Sequence, residues 1–302
     1  MTAFNDRNVM LGALVRALPY IQRYRGKAFV LQVEGAFCAD RSAQRQLADQ
    51  VSVLRGFGIQ VVLVHGPGPQ LGFLSERLNV GGRFVDGHPV TDDVALDLQT
   101  MACAGMINVE MISAFRGAGV PTVGITGIDA GLIKARQRAP LLNGALRPDQ
   151  DLVGEVIDVD PKVLETLMSA DGAFVPLICP LSADEHGIVL SLDADSASAA
   201  IAVAMKAEKL IFLTELRGLP SDPANPDGEI VSYIDLAGLE SMRVRGALDL
   251  RMQSKARAAA RALHGGVQRV HLVGHQPDGS LLAEIFTNEG TGTLIVEDAA
   301  RA

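Results

Sequence analysis

The chain has little that would tie it to a membrane, to nucleic acid or to an oxidising compartment. No apolar run approaches the roughly 20 residues that a bilayer-spanning helix needs, and Asp6 stands where a secretion signal carries positive charge. The three cysteines form no CxxC pair, which is typical of buried thiols in a reducing, cytoplasmic compartment. With a net charge of −8 and no long basic run, neither nucleic acid nor an anionic membrane is an expected partner.

Several well-known catalytic signatures are also missing. The sequence contains no GxxxxGK[ST] phosphate loop, no GxGxxG dinucleotide fingerprint and no GxSxG nucleophile elbow. The six histidines are scattered, so no protein-bound metal site is predicted. What the chain does have is a 48% hydrophobic content over 302 residues, enough for one large α/β domain or two lobes with a shared core.

Short apolar runs alternate with helical patterns along most of the chain. Residues 28–33 and 60–65 are typical of buried parallel strands, and the helical pattern of residues 41–58 between them completes a βαβ unit. The alternation continues towards the C-terminus and predicts the α/β class with a mainly parallel sheet. The other predicted strands are residues 122–127, 174–179, 209–214 and 269–274, and the other predicted helices are residues 195–207 and 252–266.

Residues 9–24 precede the first strand and carry a separate helical pattern with one apolar stripe. Asn5 or Asp6 is the expected N-cap, and Pro19 is expected to kink the helix or divide it in two. The segment is interpreted either as an arm outside the core or as an ordinary amphipathic packing helix.

The segment "VVLVHGPGPQL", residues 61–71, joins a buried-strand pattern to a glycine-rich turn and a helical continuation. Backbone N–H groups in such a turn, at the start of a helix, bind phosphate. Pro67 removes one of these N–H groups. The segment is therefore interpreted either as a phosphate cradle or as a tight strand-to-helix turn.

Two aspartates and one lysine are further candidates for chemistry. Asp193 and Asp195 stand at the start of a predicted helix, where carboxylates cap the helix and are favoured by its dipole. Capping is the interpretation for Asp193, whereas Asp195 is a candidate for orienting a catalytic lysine. Lys255 is either that lysine or a solvated surface residue. Residues 84–93, which hold three carboxylates, are predicted to be a turn-rich loop.

Eight segments that cover nearly the whole chain follow one another in the order "LPYIQRYRGKAFVLQ", "VVLVHGPGPQL", "GRFVDGHPVTD", "GITGIDAGLIKARQR", "LDADSASAAIA", "LIFLTELRGL", "RMQSKARAA" and "LLAEIFTNEGTGTLI". Together they resemble the amino acid kinase family, and within it the acetylglutamate kinases and the kinase-like domain of acetylglutamate synthases. The resemblance implies a three-layer αβα fold preceded by an N-terminal helix. It also implies an arm over residues 1–25, an N-lobe over 26–180 that binds an acyl amino acid, and a C-lobe over 181–302 that binds the nucleotide.

The resemblance further implies an activity, in which ATP phosphorylates the side-chain carboxylate of N-acetylglutamate on the way to arginine and Mg²⁺ bridges the ATP phosphates. Such a transfer depends mostly on positioning and on charge neutralisation. The positions that match the family's pattern are Lys255 as the C-terminal catalytic lysine, Asp195 as the aspartate that organises the lysines, Thr214 at the strand end beneath the nucleotide, and His65, Gly66, Gly68 and Gly35 in the two glycine loops.

Other positions depart from that pattern. Gln32, a neutral amide, stands in place of the first catalytic lysine, and Glu34 replaces a glycine expected near phosphate. Pro67 replaces the middle glycine of the second loop, and Pro89 replaces the arginine expected to clamp the substrate carboxylate. Losing one phosphate-neutralising group costs on the order of 10² to 10³ in rate. Further departures are Ser191 and Leu250–Arg251, and the candidates for replacing the lost charge are Arg83, Arg251 and Lys134.

The segment "LLAEIFTNEGTGTLI" follows the one that lines the arginine site in arginine-sensitive family members. The resemblance implies that Glu284 pairs with the guanidinium of L-arginine and that Gly290 and Gly292 allow close backbone approach. An N-terminal helix also links dimers in arginine-sensitive hexamers, so a homodimer or homohexamer is expected. Two functions are predicted. One is an acetylglutamate-kinase-like phosphotransferase; the other is a kinase-inactive arginine-sensing module or the kinase-like subunit of a synthase.

Overall fold

The computed structural model describes residues 12, 15–35, 37–85, 88–138, 141–142, 145–146, 151–169, 174–274, 279–287 and 290–298. The strands in chain order are β1 (Ala28–Val33), β2 (Gln60–His65), β3 (Arg83–Val85), β4 (His88–Val90), β5 (Thr122–Thr126), β6 (Ile133–Gln137), β7 (Leu141–Leu142), β8 (Ala145–Leu146), β9 (Gly154–Val159), β10 (Val175–Cys179), β11 (Leu181–Ala183), β12 (Val189–Ser191), β13 (Lys209–Thr214), β14 (Leu219–Pro220), β15 (Ile230–Val231), β16 (Tyr233–Asp235), β17 (Arg269–Gly274) and β18 (Thr293–Val296). The α-helices are α1 (15–24), α2 (Arg41–Gly56), α3 (Pro69–Leu78), α4 (Asp93–Thr100), α5 (Asn108–Gly117), α6 (Lys162–Ser169), α7 (Ala194–Ala204), α8 (Leu236–Val244), α9 (Leu250–His264) and α10 (Ser280–Phe286). A π-helix, Met101–Ile107, joins α4 to α5.

Eight strands form the main sheet in the order β16-β18-β17-β13-β1-β2-β10-β5. Neighbouring strands are parallel except for β17 and β18. Six of these strands, all except β16 and β18, match the predicted apolar runs to within one residue at each end. This confirms the predicted α/β class and mainly parallel sheet.

Successive residues of the central strands face opposite sides of the main sheet. In β1, Phe29 and Leu31 belong to one buried cluster, together with residues of α2, α5 and α10. Val30 belongs to a second cluster, together with residues of α7 and α9. Helices therefore cover both faces, which confirms the predicted three-layer arrangement. No helix among the described residues is long and apolar enough to cross a membrane.

A smaller four-stranded sheet has the order β12-β11-β6-β9. The prediction of a turn-rich loop over residues 84–93 is wrong in part, because β3 and β4 pair antiparallel, with Phe84 opposite Pro89, and α4 starts at Asp93. Asp-Gly, the dipeptide at positions 86 and 87, is a strong hairpin signal that the loop prediction passed over. These two residues lie outside the described part of the chain.

The N-terminal helix runs unbroken from residue 15 to residue 24. The prediction that Pro19 divides it is therefore wrong, since a proline removes only one donor from the helical ladder. Tyr24 is buried and packs edge-on against Phe29, with 5.2 Å between ring centres, whereas Val15 and Leu18 are exposed. The helix thus packs on the core at its C-terminal end. The predicted caps and residues 9–11 lie outside the described residues.

Candidate active site

The carboxyl ends of β1, β2 and β13 meet at one edge of the main sheet because these neighbouring strands are parallel. The strand order runs away from β1 in both directions, and ligands of α/β proteins bind at such switch points. A space of about 580 Å³ opens there, which we call the cleft. It is lined by Gln32, Glu34, Gly35, Gly66, Pro67, Gln99, Arg138, Val153, Ser191, Leu192, Asp193, Ala194, Asp195, Leu250, Arg251, Ser254 and Lys255.

Gln32, the penultimate residue of β1, lines the cleft. It lies between Val64 and Phe212 in the strand register, and both of these neighbours belong to the core on the α7 and α9 side. Its side chain is buried, and its carboxamide oxygen has no hydrogen-bond partner among the described residues. Gln32 therefore places a neutral carboxamide in the cleft where the family pattern has a cation.

Lys255 of α9 forms an ion pair with Asp195 of α7 at the inner end of the cleft. Its Nζ donates to Asp195 Oδ1 at 2.9 Å and lies 5.5 Å from the centre of the Phe212 ring. Both residues are buried, so the interpretation of Lys255 as a solvated surface residue is wrong. Burial raises the pKa of Asp195, and the ammonium of Lys255 opposes that rise. An ammonium is thus held in place at the edge of the sheet.

Asp193 caps α7, as its position in the sequence predicts. Its Oδ2 accepts hydrogen bonds from Ser196 N at 3.0 Å and from Ser196 Oγ at 2.6 Å. Ser254 of α9 donates to the same oxygen at 3.2 Å. This carboxylate therefore holds the start of α7 against α9, which fixes the spacing of Asp195 and Lys255.

Glu34 follows β1 and also faces Lys255. Its Oε1 lies 3.8 Å from Lys255 Nζ, and its Oε2 accepts a hydrogen bond at 3.0 Å from the backbone N–H of Glu215, just after β13. Two carboxylates, Glu34 and Asp195, therefore share one ammonium at the inner end of the cleft.

The two glycine loops after β1 and β2 pack directly against each other. A Cβ at Gly35 would lie 2.0 Å from the carbonyl oxygen of Pro67, and a Cβ at Gly68 would lie 2.7 Å from the carbonyl oxygen of Gly35. Only glycine permits this approach. Gly68 also precedes α3 without a side-chain cap, so the first N–H groups of α3 have no side-chain acceptor at the N-cap. Pro67 contributes no N–H to this arrangement.

His65 and Thr214 stand at the ends of β2 and β13, behind the cleft wall. His65 Nε2 lies 3.1 Å from Asn108 Oδ1, and its Nδ1 lies 3.1 Å from the carbonyl oxygen of Gly66. Burial lowers the pKa of His65, which favours the neutral imidazole. Thr214 Oγ1 donates to Leu216 O at 2.5 Å. Both side chains thus order the loops, while Gly35, Gly66, Asp195 and Lys255 themselves line the cleft.

The candidates for replacing the lost positive charge differ in whether they line the cleft. Arg251 lines the cleft and forms an exposed ion pair with Glu215 at 3.1 Å. Lys134 lies outside the cleft lining and pairs with Asp158 at 3.4 Å. The side chains of Arg83 and Pro89 lie outside the described part of the structure. Arg138, which sequence reasoning missed, also lines the cleft.

A second space of about 410 Å³ lies between the end of α1, the C-terminal part of the main sheet and α10. We call it the C-terminal pocket. Glu284, Gly290 and Gly292, the three residues predicted for an arginine site, all line it. Its remaining lining residues are Tyr20, Arg23, Tyr24, Lys209, Ser232, Tyr233, Arg269, His271, Ile285, Thr287 and Leu294.

A chain of three ionisable side chains forms the floor of the C-terminal pocket. Lys209 Nζ lies 2.7 Å from His271 Nε2, and His271 Nδ1 lies 2.6 Å from Glu284 Oε1. Burial lowers the pKa of Lys209 to about 7 and that of His271 to about 4. Burial raises the pKa of Glu284, but hydrogen bonds from His271 and from backbone N–H groups outweigh it and bring the pKa to about 2.

The loop before β18 completes this arrangement. Glu284 Oε2 accepts hydrogen bonds from Thr291 N at 2.6 Å and Gly292 N at 2.9 Å. Gly290 has a φ of +63°, and a Cβ there would lie 2.7 Å from Glu284 Oε2. Gly290 thus allows the loop to lie on the carboxylate, whereas a Cβ at Gly292 would lie 2.1 Å from the carbonyl oxygen of Leu272 in β17. Sequence reasoning found Glu284 but missed its partners, Lys209 and His271.

No group of three or more histidine, cysteine or acidic side chains among the described residues could hold a metal ion. The three cysteines are buried, as predicted.

The model of the amino acid kinase family matches residues 27–274. This chain belongs to the amino acid kinase family. It is 41% identical over 295 residues to the acetylglutamate kinase of Myxococcus xanthus, a match that covers 96% of this chain and 95% of that protein. It is 36% identical to the acetylglutamate kinase of Symbiobacterium thermophilum, with 94% of this chain and 96% of that protein covered.

Solved structures show the same fold. The N-acetylglutamate synthase of Neisseria gonorrhoeae, in complex with coenzyme A and N-acetyl-glutamate, superposes with a TM-score of 0.80 at 28% identity. That match covers 96% of this chain but only 64% of the synthase chain. The carbamate kinase of Giardia lamblia bound to AMP-PNP superposes with a TM-score of 0.64 at 18% identity, over 90% of this chain and 99% of the kinase.

Proposed function

We propose that this chain is an ATP-dependent phosphotransferase that acts on the side-chain carboxylate of N-acetylglutamate or a related acyl amino acid, in arginine biosynthesis. The observation that carries the proposal is the buried ion pair of Lys255 and Asp195 at the inner end of the cleft. A lysine held in this way, beside two glycine loops, suits a reaction that depends on gathering negative charge. The likeness to acetylglutamate kinases supports it along nearly the whole chain.

In the proposed reaction, a carboxylate oxygen of the substrate attacks the γ-phosphorus of ATP. The bond from that phosphorus to the bridging oxygen breaks, ADP leaves with the electron pair, and an acyl phosphate forms. Lys255 stabilises negative charge on the phosphoryl group, and Asp195 holds Lys255 in position. Mg²⁺ carried by the nucleotide would neutralise part of its phosphate charge. The lobes over residues 26–180 and 181–302 would hold the acyl amino acid and the nucleotide.

The proposed enzyme works with one lysine where the family pattern has two, because Gln32 is neutral. We expect its turnover to be lower than that of a site with two lysines by a factor on the order of 10². Arg251 and Arg138 line the cleft and are the cations that could approach a bound nucleotide.

The test is to trap the acyl phosphate with hydroxylamine while ADP release is measured in the same reaction. We expect hydroxamate and ADP in equal amounts from MgATP and N-acetylglutamate, and neither from Lys255→Met. ADP release without hydroxamate would mean ATP hydrolysis only. The absence of both products from the native chain, at any substrate concentration, would contradict the proposal.

A kinase-inactive, arginine-binding module is the second candidate, and the C-terminal pocket favours it. Lys209 and Arg269 line the pocket beside Glu284, so it presents cations for a carboxylate and a carboxylate for a guanidinium. The structure of the N. gonorrhoeae synthase has also been solved in complex with coenzyme A and L-arginine. It superposes on this chain with a TM-score of 0.77 at 26% identity. Such a module could regulate, or form part of, an acetylglutamate synthase.

A gain-of-function variant separates the two candidates. Gln32→Lys combined with Pro89→Arg restores both cations of the family pattern. Hydroxamate formation that appears only in this double variant would mark the native chain as kinase-inactive. Hydroxamate formation by the native chain, raised further in the variant, would support the phosphotransferase.

A further inference from the structure

Glu34 connects three parts of the cleft. It directly follows β1, it accepts a hydrogen bond from the backbone N–H of Glu215 at 3.0 Å, and it lies 3.8 Å from Lys255 Nζ. Only 19% of its side chain is exposed. Its carboxylate therefore occupies one backbone donor and one side of the ammonium at the inner end of the cleft.

These donors are of the kind that an anionic ligand uses. Backbone N–H groups in loops after parallel strands, together with a lysine, bind phosphate and carboxylate groups. An anion that binds Lys255 competes with Glu34, whose carboxylate already lies 3.8 Å from Lys255 Nζ, and like charges a few ångströms apart repel strongly in a partly buried site. Glu34 and an entering anion therefore compete for the same positions.

The neighbouring groups strengthen this competition. Asp195 already pairs with Lys255 at 2.9 Å, so two carboxylates share one ammonium. Gln32, also buried at the inner end of the cleft, is neutral and has a carboxamide oxygen with no partner among the described residues, so it brings no second positive charge for an anion. Without Glu34, the ammonium would face the cleft with one carboxylate partner.

We propose that Glu34 is an internal anion that occupies the phosphate-binding position of the cleft and must be displaced when phosphate enters. The inference deepens the proposed function, on which it rests for the identity of the ligand as a nucleotide phosphate. Glu34 then sets how weakly the cleft holds phosphate.

The experiment is calorimetric titration of the full chain with inorganic phosphate at constant ionic strength. Glu34→Gln keeps the size of the side chain and an acceptor for Glu215 N–H but removes the charge. Glu34→Ala also frees that N–H. We expect phosphate affinity to rise by about tenfold or more in Glu34→Gln and further in Glu34→Ala. The matched control is Asp158→Asn, which makes the same change in net charge outside the cleft, and its affinity should equal that of the native chain.

Affinities in both Glu34 variants that stay at or below the native value would overturn the inference, provided that their melting curves match the native one. An equal gain in Asp158→Asn would overturn it too, because the effect would then be one of net charge. Hydroxamate trapping keeps the two proposals apart. A Glu34→Gln protein that gains phosphate affinity but forms no hydroxamate supports the internal anion and counts against the kinase. Hydroxamate formation by the native chain, with no gain in phosphate affinity in the Glu34 variants, supports the kinase and counts against the internal anion.

Discussion

The cleft and the C-terminal pocket each contain a buried lysine, and the two lysines have different partners. Lys255 pairs directly with the carboxylate of Asp195 and lies near that of Glu34. Lys209 contacts the imidazole of His271, which separates it from the carboxylate of Glu284. In the cleft two carboxylates hold one ammonium, whereas in the pocket a ring that burial keeps neutral stands between the charges.

The comparison shows that the contacting group, and not burial alone, decides what a buried lysine can do. A direct ion pair offsets the desolvation of both charges. A neutral imidazole cannot do so, and burial lowers the pKa of Lys209 to about 7. The pocket thus holds a lysine that gains or loses its proton near neutral pH.

Breaking the ion pair in the cleft should have the largest effect. Lys255→Met leaves Asp195 and Glu34 as uncompensated acids at the inner end of the cleft, and we expect it to lower the free energy of unfolding by about 3–5 kcal/mol. Urea denaturation measures the loss, and Lys162→Met, at an exposed ion pair, is the control. Adding Asp195→Asn should recover part of the stability. A Lys255→Met protein with the same free energy of unfolding as the native chain would show that the ion pair does not stabilise the fold.

Separating the two glycine loops should have the second-largest effect. Gly35→Ala places a methyl group 2.0 Å from the carbonyl oxygen of Pro67, so the loops must move apart. We expect a loss of about 1–3 kcal/mol and loss of phosphate binding in the cleft, with the C-terminal pocket unaffected. Gly72→Ala, where nothing lies within 4 Å of the new Cβ, should instead be neutral or stabilising because alanine favours a helix. Equal effects at both sites would contradict the close packing.

Changing the acid of the C-terminal pocket should have a similar or smaller effect. Glu284→Gln keeps the shape but places an NH₂ group against either His271 or the N–H groups of Thr291 and Gly292. We expect a loss of about 1–3 kcal/mol in urea denaturation. Glu240→Gln, on the surface of α8, should leave stability unchanged. A Glu284→Gln protein as stable as the native one would mean that the loop amides find other acceptors.

The smallest effect should be a dependence of stability on pH that belongs to the pocket. The pKa of Lys209 is about 7 in the folded chain and 10.5 as its ordinary value, so between these values the unfolded chain binds more protons. Stability from this residue therefore rises with pH across that window. Melting temperatures of the native chain and Lys209→Met at pH 7 and pH 9 test it. The native chain should gain more from the higher pH, and an equal response would contradict the lowered pKa.

Six of the eight strands of the main sheet could be predicted from the sequence because buried parallel strands are continuous apolar runs between turns. Short strands give no such run, and the hairpin of β3 and β4 was missed although its sequence contains the hairpin dipeptide Asp-Gly. Asp193 as a helix cap was predictable because capping acts within three residues.

The partners inside each site could not be predicted in the same way. Glu34 meets the backbone of Glu215, 181 positions later in the chain, and Lys209 meets His271 at a separation of 62. Such contacts are set by which strands become neighbours, and periodicity does not encode that order. The burial of Lys255 likewise depends on how α9 packs against α7.

The most direct test of the account is a crossed calorimetric titration with MgATP and with L-arginine. We predict that MgATP binds the native chain and Glu284→Gln alike but not Lys255→Met. We also predict that L-arginine binds the native chain and Lys255→Met but not Glu284→Gln. The assignment of a phosphate cleft and a separate arginine pocket would be contradicted if either variant bound neither ligand. It would also be contradicted if the native chain bound neither ligand.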